Sequence, residues 1–491
     1  MSKFGSLVRF ACLAVSFAGA SEVEALQLAP QDVVNIAIKQ GLDVRTSELQ
    51  AQQLEANAEK QRGIFDLVFK LYPTYEYNEA LTLTGTGNPV DKTLTVVSSL
   101  QKRFSTGTIL GLEYNHIRQE STLSAFSQAL RRPNAGLDAI TLSIRQSLWQ
   151  NILGESDRAV LDVLDGQVQI AKIQREETLE TAILNSLSLF WNAYVAETQL
   201  RETTAARQKY EELVKAVRRK AGYNLSTPGE LPRLEAEFEA ADKNVKLNSA
   251  LFLTAIDNLR VNLQLEPSEP VTFKASTTEA TDIPAIPTLQ AVDAMKLRPV
   301  LISKFQMENA ERNQTSMRSL SRPRLDLVAK ARSTGVDESS DVAFSKMSSS
   351  SKPYYALGVE FEWPIDSALF RGQQAEAEAG YGIAQLQFKL AQDNMSNQIL
   401  NNERTAIAYR ENALSSINIV AQRGRVVREM ETAYRQGRTP LVELIRAFND
   451  LFAAQQDRAR AVGNYMIALN TWAATRDELV KNTLPSGGTR K

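Results

Sequence analysis

The chain has 491 residues, 43% of them hydrophobic and 23% charged, with a formal net charge of -1. That balance suits a folded protein and excludes a polybasic partner-seeker, because no excess of Lys and Arg is present to meet nucleic-acid phosphates. A single cysteine and a single histidine leave little for thiol or imidazole chemistry.

In chain order, residues 1-25 read as a secretory signal peptide. Lys3 and Arg9 form a short positive region, FACLAVSFAGA is an apolar run too short to span a membrane, and Ala18-Gly19-Ala20 or Val23-Glu24-Ala25 offers small residues for cleavage. Cys12 lies inside the segment to be removed, so the mature chain is expected to hold no disulfide, no thiolate metal site and no cysteine nucleophile. Arg9 stands where a lipoprotein signal wants an apolar residue, so acylation is not expected.

A first structural repeat is expected over 26-264. It opens with a helix from about Pro30 to Arg62, where Val33, Ala37, Leu49, Leu54 and Ala58 fall near helical spacing. The period then changes to two over 67-149. Leu67, Phe69 and Leu71 alternate with Val68, Lys70 and Tyr72; Leu94, Val96 and Leu100 oppose Thr95, Ser99 and Gln101; Leu110, Leu112 and Tyr114 oppose Gly111, Glu113 and Asn115; Ile140, Leu142 and Ile144 oppose Thr141, Ser143 and Arg145. Ser105-Thr106-Gly107 reads as a tight turn, whereas Leu81 to Lys92, Glu120 to Asp138 and Ser333 to Lys352 read as longer loops. A half-buried soluble sheet gives the same alternation, but strands of about 9 to 11 residues with aromatic ends and one polar face are what a membrane barrel requires.

A long helical hairpin is expected over 153-264. No proline occurs from Leu153 to Ala221 or from Leu369 to Gln436, so each run can form a helix of about seventy residues, roughly 100 Å long. A Pro-rich connector over 265-288 leads to a second repeat at 289-480, with a helix starting near Leu289, strands at 324-363 and a hairpin at 366-475; a flexible tail, 481-491, ends the chain. The same offset, 215 positions, separates Ile144 from Val359, Trp149 from Pro364 and Gly222 from Gly437. The architecture therefore reads as duplicated. Seam positions climb in sevens through Leu400, Ile407 and Leu414, then Val420, Val427 and Tyr434, with Ala206, Tyr210, Leu213 and Val217 in the first copy. Phe190, Trp191 and Tyr194 are expected to pack in the seam.

Chemistry-bearing motifs are absent: no HExxH, GxSxG, P-loop or GxGxxG pattern occurs, so no enzyme, cofactor or metal centre is expected. His116 lies on a strand-period segment and is expected to be an interfacial side chain. The helices alone would fit a periplasmic coiled-coil adaptor or scaffold protein, a reading that leaves the alternating strands unexplained.

The residues resemble the TolC-like outer-membrane efflux proteins over nearly the whole mature chain. The resemblance is most specific at the second helical turn, Tyr434, Gly437, Leu441, Glu443, Leu444, Ala447 and Leu451, and extends to the strand-to-helix passages LGVEFEWPIDSALFRGQQAEAE and LSIRQSLWQNILGESDRA. It implies a mixed α and β membrane protein: a homotrimer whose chains each give four to six strands to one shared outer-membrane barrel, continued by a periplasmic α-helical barrel. It also implies a channel in a tripartite efflux or type I secretion system, partnered by a periplasmic adaptor, an inner-membrane transporter and outer-membrane lipid, with no nucleic acid and no cofactor. By resemblance, Gly222 and Gly437 mark the hairpin tips at the periplasmic mouth where the adaptor docks. The family often has acidic residues just past the second tip; Glu443 matches one, whereas Arg446 is basic where a second carboxylate is expected, and Glu230 takes the matching acidic position in the first copy. Ion pairing between Glu443 and Arg446 is expected to moderate charge at the mouth.

Overall fold

A computed structural model of the chain describes residues 26-79, 90-121, 134-223, 227-266, 271-275, 279-287, 292-349, 353-365 and 367-480. The expected signal segment and C-terminal tail, and part of the connector, lie outside the described residues.

The first strand, β1 (Leu26–Leu28), leads into α1 (Pro30–Gln40) and α2 (Leu42–Arg62). The sequence reads as one helix here, but the backbone turns extended at Gly41 (φ -58°, ψ 119°) and breaks it in two. Four strands follow: β2 (Leu67–Asn78), β3 (Asp91–Arg103), β4 (Thr108–Ser121) and β5 (Asn134–Ser147). The long helix α3 (Glu155–Gly222) then turns back as α4 (Glu230–Leu263). After the short strand β6 (Val271–Phe273), the second half runs α5 (Arg298–Leu320), β7 (Arg324–Asp337), α6 (Ser340–Ser348), β8 (Tyr354–Glu362), α7 (Ala368–Arg435) and α8 (Leu441–Thr475). The helix expected from Leu289 instead begins at Arg298, with Pro299 in its first turn and a 3-10 turn before it. Among the described residues no helix is long and apolar enough to cross a membrane.

Six strands form one antiparallel sheet in the order β2-β3-β4-β5-β7-β8. Its register sorts residues by chemistry. One row crosses all six strands as Phe69, Leu100, Leu112, Leu142, Ala331 and Tyr355, and the next as Lys70, Ser99, Glu113, Thr141, Arg332 and Tyr354. Because paired residues share a face, one side of the sheet is apolar and the other polar. The apolar side is exposed in the single chain: Leu357 is 77% accessible, Phe69 61% and Leu142 42%. Two of the expected long loops prove shorter, since β4 reaches Ser121, β5 starts at Asn134 and β7 continues to Asp337. The Ser-rich stretch after β7 also folds into α6, which packs on β7 and β5.

The helices pack below the sheet. Hairpins α3/α4 and α7/α8 lie side by side, with α5 between α3 and α7 and α2 along α3. A central core joins Phe190, Trp191 and Tyr194 of α3 to Leu259 and Leu263 of α4 and Tyr465 of α8. The Phe190 and Trp191 rings meet edge to face at 5.1 Å, and Phe190 meets Phe273 at 5.3 Å, which seats the small parallel sheet of β1 and β6 against the helices. The Tyr465 hydroxyl donates to the Pro284 carbonyl at 2.6 Å, fixing the connector on α8. Not every expected seam position is covered: Leu400 and Ile407 stay exposed because they face away from the chain's own hairpin partner.

Candidate functional site

The two hairpin tips turn by different means. At the second, the Gly437 N–H donates to the Tyr434 carbonyl and the Arg438 N–H to the Ala433 carbonyl, the paired bonds of a Schellman motif, with Gly437 in the left-handed region at φ 71°. Pro440 is the N-cap of α8 and Leu441 its first residue. At the first tip, Gly222 is the last helical residue of α3, and the left-handed residue is Gly229 at φ 89°. Glu230 opens α4, and its carboxylate accepts the Thr227 N–H at 3.2 Å.

The tips touch. Lys220 Nζ sits 4.5 Å from the centre of the Tyr434 ring. Burial, and then the charge of Glu230, push the Tyr434 hydroxyl above the usual tyrosine range. Two of the residues singled out by sequence thus fall at the tip contact, Glu230 and Tyr434, while Gly437 turns the chain just beyond it with open space around its Cα. Further along, Lys209 pairs with Glu431 at 2.7 Å, and the Tyr210 hydroxyl donates to Asn449 Oδ1 at 2.6 Å. Asn449 in turn donates to Glu237 at 3.3 Å. Burial holds the Tyr210 hydroxyl above its ordinary range, so it serves as a neutral donor. Under these contacts Val217, Leu234, Leu441, Leu444 and Phe448 form a core shared by both hairpins.

Glu443 and Arg446 lie past the second tip, both exposed. Among the described residues they form no ion pair with each other within one chain. Sequence reasoning missed Lys220, Glu431 and Asn449. Asn449 carried a signal, a polar side chain next to the apolar Ala447-Phe448 run, but its partner Tyr210 lies in the other half of the chain.

One carboxylate group among the described residues has the spacing of a metal site: Glu177, Glu180 and Asp477. The Arg298 guanidinium already occupies it, bonded to Glu180, 3.3 Å from Glu177 and 2.9 Å from Asp477. The arrangement is an ionic joint between α3, the start of α5 and the chain after α8.

His116 is less interfacial than its strand position suggested. It is largely covered, and its Nδ1 lies 2.8 Å from Asp138, a carboxylate only 1% exposed that also accepts the Tyr114 hydroxyl at 2.6 Å.

No family model matches this sequence, and no curated protein matches it. Solved structures do. CusC, described by conformational changes accompanying folding and transmembrane channel formation, is 12% identical, with 94% of this chain and 95% of that chain covered at a TM-score of 0.67. The Campylobacter jejuni CmeC outer-membrane channel is 12% identical over 92% of this chain and 86% of its own, TM-score 0.67. The open state of the Neisseria gonorrhoeae MtrE outer-membrane channel is 13% identical over 95% of both chains, TM-score 0.65. From its six-stranded sheet to its paired long hairpins, the chain has the fold of the outer-membrane channels, as the sequence resemblance implied.

Proposed function

We propose that this chain is one protomer of a homotrimeric outer-membrane channel: a passive conduit of a tripartite efflux or type I secretion system that receives cargo from an inner-membrane transporter through a periplasmic adaptor. The observation that carries the reading is the sheet. Its apolar side is exposed, its other side is polar, and its outer strands β2 and β8 have no strand partner beyond them among the described residues. Lipid tolerates no open strand edge, so a chain with too few strands to close alone must share a barrel with copies of itself. Three such sheets would give about eighteen strands, an even number as outer-membrane barrels have.

The helices support the same arrangement. Exposed Ile383, Leu386, Leu390, Leu400 and Ile407 stripe α7, an apolar surface of the kind that neighbouring protomers cover. Tips near Gly222, Glu230, Gly437 and Glu443 would form the periplasmic mouth and meet the adaptor. A conduit works by enclosing water, so it needs no catalytic residue or cofactor. Outer-membrane fractionation with heat-resistant trimer migration, followed by planar-bilayer recording, tests the reading; a detergent-extracted monomer that still conducts ions would refute it.

A further inference from the structure

On the apolar side of the sheet, β5 carries a buried carboxylate. Up β5 the residues on this face run Ile144, Leu142, Ile140 and then Asp138, whose neighbours in the same row are His116 on β4 and Gly335 on β7. A carboxylate here would face hydrocarbon if the strand face were bare. It is not bare, because α6 runs back along the wall. Ser340 lies over Gly136, the Ala343 carbonyl and Met347 amide fill the space where a side chain on Gly335 would go, and the Met347 carbonyl accepts the Ser333 hydroxyl at 2.6 Å. Ala343 and Met347 are buried in this contact, and Asp138 is sealed beneath with one carboxylate oxygen unbonded.

The outside of α6 joins the belt. The Phe344 ring, 51% exposed, meets Tyr114 edge to face at 6.2 Å, and Tyr114 pairs with Ile140, the last apolar residue of the β5 row. Polar atoms on the lower turn are satisfied internally: the Ser348 and Ser349 hydroxyls both donate to the Ser345 carbonyl, at 2.9 and 2.8 Å, and Lys346 pairs with Asp337. The free charge, Asp341, is in the first turn, at the end farther from the belt.

We infer that α6 is a lipid-facing shield: it lies in the outer-leaflet interface with Phe344 among the acyl chains and Asp341 among the headgroups, and lets the barrel wall carry the Asp138–His116–Tyr114 cluster out of contact with lipid. The inference rests on the membrane reading of the sheet, and its occupant, the outer-leaflet lipid, follows from the continuity of Phe344 with the belt.

The test uses full-length protein in vesicles, with Cys12→Ser as background and a bimane fluorophore placed singly by Phe344→Cys, Asp341→Cys, Leu357→Cys or Tyr223→Cys. Quenching by shallow doxyl-labelled phospholipid is compared with quenching by aqueous iodide. Phe344 is expected to follow Leu357, with lipid quenching and loss of iodide quenching, while Asp341 and Tyr223 show iodide quenching. Gly335→Val, which pushes α6 off the strand, is expected to return iodide quenching to position 344 and leave Leu357 unchanged. Leu357 quenched by lipid with Phe344 behaving as Asp341 would overturn the shield and leave the membrane reading standing. Absence of lipid quenching at Leu357 itself would overturn both.

Discussion

Replacing Arg298 by Ala should unfasten the end of the chain. Its guanidinium is 12% exposed, and it binds Glu180 and Asp477, whose side chains are 4% and 16% exposed. Its backbone N–H also donates to Asp477 at 2.9 Å, and Glu180 accepts the Leu479 N–H at 3.0 Å. Truncating Arg298 strands two carboxylates in a low-dielectric joint, and removing one partner of a buried pair costs about 3–5 kcal/mol. Locally that is a loss of protection of roughly a hundredfold to a few thousandfold at about 1.4 kcal/mol per decade. The Leu479 amide is the reporter, because it is bonded to the carboxylate that Arg298 neutralises and Leu479 is buried against Ile183 and Trp472. Hydrogen exchange by mass spectrometry over 476–480, on intact protein, should show that loss in Arg298→Ala and a smaller one in Arg298→Lys, which keeps the charge but not the fork. The exposed Arg62–Asp165 pair is the control: Arg62→Ala should leave exchange unchanged. Near-native protection of Leu479 in Arg298→Ala would refute the idea that this joint holds the C-terminal segment.

The two tip glycines should respond oppositely to alanine. Gly222→Ala, helical with open space around a Cβ, should stabilise by up to about 1 kcal/mol, whereas Gly437→Ala at φ 71° should destabilise by about 1–2 kcal/mol; urea unfolding of the helical region distinguishes them. Burial, only partly offset by Arg458 at 2.5 Å, raises the Glu202 carboxyl above its ordinary value of 4.5. A raised acid contributes stability below its unfolded value that is lost as pH rises through the folded one, so Tm should fall across the window just above pH 4.5, and Glu202→Gln should flatten that slope. At the proposed mouth, Arg446→Glu should add like charge beside Glu443 and raise single-channel conductance and cation preference in planar bilayers, with Glu443→Ala having the smaller effect; unchanged conductance and selectivity would make both ordinary solvated charges.

The strands and long helices were legible because each rests on a local rule. Alternation in Leu357, Val359 and Phe361 needs only a period of two, and the absence of proline across Ala368–Arg435 needs only a scan. What escaped notice depends on distant contacts. Ser340–Ser348 reads as turn chemistry, and it is helical because Gly335 and Ser333 on another element receive it. Reading Glu120 to Asp138 as one loop hid the contact of Asp138 with His116, because that contact exists only once β5 is extended to Asn134. Resemblance marks Gly222 as the first tip, and it closes α3; the left-handed glycine described there, Gly229, lies beyond it at the start of α4 and has no counterpart in the second-copy pattern from which Gly437 is read. The Glu443 and Arg446 spacing suggests an i,i+3 pair, but both side chains face outward from one chain, and their neighbours in an assembly are not written in either residue.

The edges of the sheet set the terms on which copies can join. On β2 the apolar face is carried by odd positions, Leu67, Phe69, Leu71 and Tyr75, and on β8 likewise by Leu357, Val359 and Phe361. A neighbouring β2 closing onto β8 must therefore pair odd with odd to keep the belt continuous. A slip of one residue would set the even positions of the incoming β2, Lys70 and Glu76 among them, on the lipid side, where a charged side chain costs about 2–4 kcal/mol or less according to depth. The even positions of β8 are already committed to the polar side: Glu362 pairs with Arg324 at 3.2 Å and Glu360 with Arg145 at 3.3 Å. The faces of β8 are thus set within each chain, and they fix the register of the joint before a second copy arrives.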